Sequence, residues 1–283
     1  MNIYIVIPAH NEAQCIALML DSLTKQTVLP TQAVVVNDHS SDNTQTIING
    51  FTAENHWLKA IEIKSSSSHI PGSKVINAFY KGLDTLDDQY DIICKFDADI
   101  ILPENYIEQL ISIFKADDSI GIAGGLAFIK KNDTWVYETV ASKNHVRGPF
   151  KAYRKACFKA IGGLKHSIGW DTIDVLLAQY QGWKIKTDAS LKVKHLKPTG
   201  QSYNKSSRFL QGEAFYKMRY GLAITLISAL KKGLKNGSFT LFLNDLKGFI
   251  NAKRSHIDFI VSEEEGEFIR KFRWKTIFSK LGL

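Results

Sequence analysis

The chain has 283 residues, of which 45% are hydrophobic and 23% charged, and its formal net charge is +8. This is ordinary globular composition, long enough for one large core or a core with an appendage. Its three cysteines, Cys15, Cys94 and Cys157, lack the spacing of a disulfide framework or a zinc site, so we expect reduced thiols in a cytoplasmic protein. The longest apolar run, residues 221–230, is too short to span a bilayer, and the first residues read as a strand and not as a signal peptide.

The net charge is confined to one part of the chain. Residues 1–204 hold 21 basic and 21 acidic side chains, whereas residues 205–283 hold 15 basic and 7 acidic ones. This asymmetry predicts two regions with different partners. We therefore expect a domain over 1–204 followed by a basic helical extension over 205–283.

The first 130 residues alternate strand and helix. Apolar runs predict strands at residues 3–7, 33–36, 58–64, 92–96 and 120–129. Helical spacing predicts helices around residues 16–23, 47–51, 74–83 and 104–115. Asn11 is a candidate cap for the first of these helices. This alternation predicts an α/β fold with a mostly parallel central sheet flanked by helices.

Beyond residue 130 the alternation is weaker. Residues 171–181 read as a helix that ends at Gly182, and residues 185–195 read as extended chain. A basic and aromatic run occupies residues 150–155. Helical patterns return over 206–234 and 239–251, which completes the predicted C-terminal helical extension.

Polar residues cluster where the predicted parallel strands end. Residues 8–12, Asp38 and the triplet 97–99 all follow strands, and parallel sheets bind ligands at this edge. Burying the two carboxylates of the triplet, Asp97 and Asp99, beside a strand would cost free energy unless a positive charge neutralises them. Mg²⁺ or Mn²⁺ holding a diphosphate supplies such a charge, although Asp-x-Asp triplets also occur in turns.

Several motifs, taken in order, resemble those of the family 2 glycosyltransferases, inverting enzymes with the nucleotide-sugar-binding fold called GT-A. The similar segments are the first-strand signature at 6–12, the second signature at 36–44, the metal triplet (the DXD motif) at 95–99, the turn at 161–164, and the segment 169–171 with Gly182 beyond it. The chain departs from the usual pattern at five positions, among them Asp174, where an apolar residue is usual, and Ile76, where the family often has Arg. Asn37 replaces an Asp, His39 replaces a Gly, and Trp170 replaces the Glu of a Glu-Asp pair.

The resemblance implies a role for each of a set of residues. Asp99 would be a metal ligand, with His195 completing the shell, and Asp97 would face the ribose or sugar or hold the metal through water. Asp171 would be the general base of a single displacement, with Asp174 as the alternative base. The implied donor-binding residues are Pro8, His10, Glu12, Asp38, Lys74 and Asp97.

Structural roles stand beside these functional ones. Asp38 can instead cap the following helix together with Ser41 or Asp42, and Asp171 can be an ordinary helix N-cap. A lone His after a strand, such as His195, is often structural, and a lone Lys at a helix start, such as Lys74, is often solvated.

The resemblance implies transfer of a sugar from a UDP-, GDP- or dTDP-linked donor to a hydroxyl of a glycan, polysaccharide or lipid-linked acceptor, as in the synthesis of cell-surface polysaccharide. A sugar-phosphate nucleotidyltransferase and a non-catalytic nucleotide-sugar-binding module are the alternatives. The former would normally need a Gly-rich loop where the chain has residues 8–12. The basic extension would either cover the catalytic domain or lie on the inner, anionic face of a membrane. We expect no nucleic-acid partner, because no nucleic-acid-binding module is recognisable.

Overall fold

The structure is a computed structural model that describes residues 1–65, 73–140, 142–197 and 208–282. Its helices and strands, in chain order, are β1 (Ile3–Ala9), α1 (Ile16–Thr24), β2 (Gln32–Asp38), α2 (Thr44–Glu54), β3 (Leu58–Ile63), α3 (Ser73–Leu83), β4 (Ile92–Phe96), β5 (Ile100–Ile101), α4 (Tyr106–Ala116), β6 (Ile120–Lys131), β7 (Thr134–Tyr137), β8 (Phe150–Arg154), α5 (Lys155–Ala160), α6 (Trp170–Tyr180), β9 (Lys184–His195), α7 (Leu210–Lys217), α8 (Gly221–Lys235), α9 (Phe239–Arg254) and α10 (Glu263–Leu281). The predicted boundary at 204/205 lies outside the described residues.

Within the described part of the chain, nine strands form one mixed sheet. Its order is β3-β2-β1-β4-β8-β6-β9-β5, and β7 pairs with β6. The first four neighbours, β3, β2, β1 and β4, are parallel, as the alternation of strands and helices predicts. β8 then pairs antiparallel with both β4 and β6, so the second half of the sheet is mixed and not parallel.

The parallel half brings its strand ends to one edge. Ala9 pairs with Asn37 at the ends of β1 and β2, and Asp38 pairs with Ile63 at the ends of β2 and β3. β4 ends at Phe96, so Asp97 begins the loop at the same edge. The three polar clusters predicted for this edge therefore lie together.

Apolar side chains form a core on each face of the sheet. One core receives the predicted apolar face of α1, with α4 beside it. The other core combines α3, α5 and α6 with buried residues of the C-terminal helices, among them Met218, Phe249 and Ile269. The C-terminal helices thus cover the sheet domain with their apolar residues, and the division at 204/205 stays a prediction.

Three local details differ from the sequence-based expectations. Asn11 does not cap α1, because α1 begins after Cys15 without a side-chain cap. The Asn11 side chain instead accepts a hydrogen bond from the Ser41 amide. The run 150–155 contains strand β8. α10 was not predicted, although Ser262 and Glu265 form a capping box at its start, a pattern that is readable in the sequence.

Among the described residues, we find no helix that combines the length and the apolar character needed to cross a membrane.

Candidate active site

A cleft of about 650 Å³ opens where β1, β2 and β4 end and α3 begins. All seven predicted donor-binding or metal residues from these elements line it, namely Pro8, His10, Glu12, Asp38, Lys74, Asp97 and Asp99. Its wall also includes Lys64 and Ser65, for which the sequence predicts no role, and His39, which the sequence marks only as a departure from the family pattern. His195 and Asp171 are not among the lining residues. His195 contacts Asp99, whereas Asp171 lies next to Gly148, whose neighbour Pro149 accepts a hydrogen bond from the Asp97 amide.

The loops after β1 and β2 brace each other across the cleft mouth. The ring Nδ1 of His10 donates to the backbone oxygen of Asp38 at 2.6 Å, which assigns the proton to Nδ1 because a carbonyl only accepts. His39 adopts φ = 53°, the left-handed region that favours glycine, at the position where the resembled family usually has Gly. The backbone conformation is therefore kept although the residue differs.

Asp38 is buried and does not cap α2. Its carboxylate accepts hydrogen bonds from the amide and the hydroxyl of Ser65, at 2.9 and 2.5 Å. Asp42 instead accepts from the amide and hydroxyl of Thr44 at the start of α2, and these bonds lower the pKa of Asp42. The helix-capping alternative for Asp38 is thus wrong, and two hydrogen bonds leave its carboxylate with unused lone pairs facing the cleft.

Two contacts fix the orientation of Asp97, one through its side chain and one through its backbone amide. Its carboxylate pairs with the buried ammonium of Lys95, and its amide donates to the backbone oxygen of Pro149 at 2.9 Å. Lys95 is also 4.9 Å from the centroid of the Trp170 ring. Asp97 is therefore oriented by a residue of its own strand and by the loop that precedes β8.

His195 links Asp99 to a second carboxylate. Its Nε2 lies 3.6 Å from Asp99 Oδ2, and its Nδ1 lies 3.2 Å from Glu138 Oε2. Glu138 is buried and also pairs with Arg147. A carboxylate that accepts from one imidazole nitrogen leaves the other nitrogen as a lone-pair donor, which is the usual arrangement behind a metal-binding histidine.

Acidic side chains crowd the cleft floor. Burial and the neighbouring charge of Asp97 raise the pKa of Asp99 to about 6. Burial also raises the pKa of Glu12, although its ion pair with Lys197 at 2.6 Å opposes the shift. A cation bound here would relieve the repulsion among these carboxylates.

The donor set fits a hard divalent cation that shares its shell with a ligand. Asp99 and His195 supply an oxygen and a nitrogen within 3.6 Å of each other. No group of three or more His, Cys, Asp or Glu side chains suited to a metal ion occurs in the part of the chain that the structure describes. Mg²⁺ and Mn²⁺ accept one or two protein ligands when phosphate oxygens and water complete the shell.

Asp171 lies at the start of α6, behind the loop 147–149. Gly169, with φ = 77°, is the N-cap residue, and Asp171 is in the first turn, so its N-cap alternative is wrong. Gly148 packs against Trp170 and Asp171, where an added Cβ would lie 2.9 Å from the Trp170 ring and 3.1 Å from Asp171 Cβ. The carboxylate of Asp171 has no hydrogen-bond or ion-pair partner among residues 1–65, 73–140, 142–197 and 208–282, and it is half-buried beside the positive end of the helix dipole.

Asp174 has a different environment from Asp171. Its carboxylate accepts from Lys151 Nζ at 2.7 and 2.8 Å and from the Tyr153 hydroxyl at 2.5 Å, and the carboxyl and the ammonium are both fully buried. Burial raises the pKa of Asp174, while Lys151 opposes that shift. Lys151 Nζ also donates to the backbone oxygen of Asp171 at 2.5 Å. This network anchors the first turn of α6.

Three contributors to the site were not predicted from the sequence. Glu138 and Lys197 carry no local signal, because their partners His195 and Glu12 are 57 and 185 residues away. Lys151 lies in the basic and aromatic run that the sequence shows, but its burial depends on β8 entering the middle of the sheet.

Comparison with known proteins identifies relatives of the chain. It is 23% identical over 198 residues to the poly-beta-1,6-N-acetyl-D-glucosamine synthase of Staphylococcus epidermidis, and 27% identical over 123 residues to the probable glycosyltransferase YdaM of Bacillus subtilis. These alignments cover 64% and 43% of the chain. They cover only 44% and 28% of the two relatives, so the chain spans less than half the length of either.

Solved structures share the fold at low identity. S. aureus TarS 1–349 in complex with UDP-GlcNAc aligns with a TM-score of 0.59 and 20% identity, covering 77% of this chain and 65% of that one. The mannosyltransferase PcManGT from Pyrobaculum calidifontis, solved with GDP-Man and Mn²⁺, aligns with a TM-score of 0.57 and 14% identity, covering 98% and 80%. The predicted GT-A fold, an α/β sheet flanked by helices and followed by C-terminal helices, is thereby confirmed, although the sheet is mixed where a mostly parallel one was predicted.

The sequence profile of Glycosyl transferase family 2 matches residues 4–164, which is more than half of the chain and includes every element that lines the cleft. On this match, the chain belongs to glycosyl transferase family 2.

Proposed function

We propose that the chain is an inverting glycosyltransferase that moves a sugar from a nucleoside-diphosphate donor to a hydroxyl of an acceptor. The observation that carries the proposal is the convergence of Asp38, Asp97 and Asp99 in one cleft, with Asp171 behind the loop that touches Asp97. The relatives' names and ligands, which include UDP-GlcNAc and GDP-Man, support a nucleotide-sugar donor.

The donor would lie along the cleft. Pro8, His10 and Asp38 would border the nucleobase, since they stand at the ends of β1 and β2, and β2 is one strand farther than β1 from the strand that precedes the acidic triplet. Asp97 would bind the ribose or sugar, and Lys74 at the start of α3 would contact the diphosphate. Glu12 would act with its partner Lys197, which brings a positive charge to the same rim.

Asp99 and His195 would hold Mg²⁺ or Mn²⁺, with Glu138 fixing the histidine ring. When bound, the cation neutralises negative charge on the departing diphosphate. The protein residues around it orient the donor and exclude water from the anomeric carbon.

Asp171 would remove the proton from the acceptor hydroxyl. The acceptor oxygen then bonds to the anomeric carbon, the bond from that carbon to the diphosphate oxygen breaks, and the nucleoside diphosphate leaves. Attack from the opposite face inverts the anomeric configuration. The carboxylate of Asp171, which has no partner among the residues that the structure describes, suits this role better than that of Asp174, which already accepts from Lys151 and Tyr153.

The acceptor we propose is a glycan, a polysaccharide or a lipid-linked sugar. A panel of UDP-, GDP- and dTDP-sugars, each with Mg²⁺ or Mn²⁺, tests the proposal by thermal shift and by release of nucleoside diphosphate. We expect one base to be preferred and the metal to be needed for that shift. Release of pyrophosphate from a nucleoside triphosphate and a sugar phosphate would instead assign a nucleotidyltransferase, and binding without turnover on any acceptor would assign a binding module.

A further inference from the structure

The exposed side of α8 is apolar, the reverse of an ordinary surface helix. Leu222, Leu226, Leu230 and Leu234 recur every four residues along it, and Ile227 lies beside them. Leu234 is 74% exposed and Leu222 is 51% exposed. Isolated exposed leucines are common on soluble proteins, but a continuous row on one helix is not.

The buried side of α8 explains why the leucines do not face the core. It is formed by Ile224, Thr225, Ala229 and Gly233, of which three are small. An added Cβ at Gly233 would lie 3.2 Å from Phe242 Cβ, so α8 and α9 approach closely there. The small residues serve the internal contact and leave the large apolar ones outside.

α9, which packs against α8, also exposes apolar residues. Phe239, Leu243 and Ile250 are exposed at helical spacing on its outer side, and Phe239 is 67% exposed. We call the exposed apolar residues of both helices the hairpin surface: Leu222, Leu226, Ile227, Leu230, Leu234, Phe239, Leu243 and Ile250.

The exposed charges carried by α8 and α9 themselves have one sign. Asp245 is the single acidic residue in the sequence from 221 to 254, and it is buried and paired with Lys232 at 2.9 Å. The exposed charged residues of α8 and α9 are therefore all basic: Lys231, Lys235, Lys247, Lys253 and Arg254. An apolar stripe rimmed by lysine and arginine matches a bilayer whose headgroups are anionic.

We propose that the hairpin surface docks the protein on an anionic lipid bilayer. A second copy of the chain is the less suitable occupant, because a two-fold contact through this surface would set basic rims against each other. The leucines and Phe239 enter the boundary between headgroups and acyl chains, and the basic residues contact the headgroups.

Docking would bring the bilayer close to the candidate site. Lys235 at the end of α8 donates to the backbone oxygen of Thr139 at 2.7 Å. Thr139 follows Glu138, the residue that contacts His195, and precedes the exposed Val140. An acceptor with a lipid anchor would thus be presented beside the cleft, but docking itself does not depend on the proposed transfer reaction.

Vesicle co-sedimentation of the full chain tests the proposal. Wild type should bind vesicles of phosphatidylcholine and phosphatidylglycerol (7:3) about tenfold more tightly than pure phosphatidylcholine vesicles at low salt. The triple variant Leu230→Gln, Leu234→Gln, Phe239→Ser should bind the anionic vesicles about tenfold more weakly than wild type. Because these side chains are exposed, the variant should keep its fold and its thermal shift with nucleotide.

The matched control changes exposed apolar residues elsewhere, Leu18→Gln, Val28→Gln and Leu29→Gln. Its vesicle binding should stay within about twofold of wild type. Absence of wild-type binding at low salt, or equal binding by the triple variant, would overturn the proposal. So would a concentration-dependent dimer in sedimentation that the triple variant abolishes without any vesicle binding. If nucleotide produces no thermal shift in the wild-type protein, this result counts against the proposed function and leaves the docking proposal unaffected.

Discussion

Replacement of Asp174 by Asn should destabilise the protein. Asp174 lies only one helical turn from Asp171, but the two carboxylates have different environments. The Asp174 carboxylate is fully buried and is the ion-pair partner of Lys151, which is fully buried as well. Tyr153 donates to the same carboxylate. Asparagine would keep the shape of the side chain but leave the Lys151 ammonium without a counter-charge.

The expected loss follows from this burial. Removing one partner of a buried ion pair typically costs about 3–5 kcal/mol, because the remaining charge stays desolvated. That is a large part of a total unfolding free energy of about 5–15 kcal/mol. At about 2–4 °C per kcal/mol, the midpoint should fall by on the order of 10 °C.

Thermal and urea unfolding, followed by circular dichroism, measure this loss. In a double-mutant cycle, Lys151→Met with Asp174→Asn should recover part of the stability, since no unpaired charge remains. In Lys151→Met alone, the pKa of Asp174, already raised by burial, should rise further. The folded state then holds this proton more tightly than the unfolded state, so stability of Lys151→Met should fall as pH rises through the raised pKa. An Asp174→Asn protein within about 1 kcal/mol of wild type would refute this account of the network.

The remaining predictions concern the cleft and the loop beside it. Asp171→Asn should lower turnover about 10²–10⁴-fold with donor affinity unchanged, whereas the exposed control Asp258→Asn should not, as steady-state kinetics and calorimetry will show. Asp99→Asn or His195→Gln should remove the metal-dependent gain in nucleoside-diphosphate affinity; calorimetry that finds the gain intact in both would exclude this metal site. Burial and, to a smaller extent, the charges of nearby basic side chains lower the pKa of His145 to about 4. As pH falls, the His145 imidazole is therefore protonated in the unfolded state before it is protonated in the folded state. The free energy of unfolding should decrease as pH drops from about 6.5 towards 4. Replacing His145 by Gln should reduce the difference between the unfolding free energies measured in urea at pH 5 and at pH 7 by about 1–2 kcal/mol.

The parallel half of the sheet could be predicted because its signals are local. Buried strands such as β1 and β4 are continuous apolar runs, and the helices between them show their own spacing. Parallel pairing then places the strand ends at one edge. Neighbouring carboxylates at that edge, such as Asp97 and Asp99, could therefore be assigned to one cleft from their positions in the sequence.

The rest of the site depends on pairing that no local pattern encodes. β8 has only five residues, and its position between β4 and β6 decides that Lys151 is buried beside α6. Glu138 reaches His195 only because β6 pairs in parallel with β9 and the chain turns back through β7. Sequence patterns describe each of these segments separately, whereas the contacts between them arise from the order of strands in the sheet.

The substitution at Trp170 is explained by the same strand order. Lys95 and Lys151 are register partners on β4 and β8, both buried, and their ammonium groups lie 4.9 and 5.7 Å from the centroid of the Trp170 ring. Two adjacent buried cations repel each other and need negative partners, which Asp97 and Asp174 provide on either side. Where the resembled family usually has a glutamate, this chain places an indole whose negative face attracts both cations without adding another carboxylate next to Asp171. A further carboxylate there would raise the pKa of a neighbouring carboxyl group. We infer that Trp170 steadies the two lysines while leaving Asp171 as the single unpaired carboxylate of the first turn of α6, as far as the described residues extend.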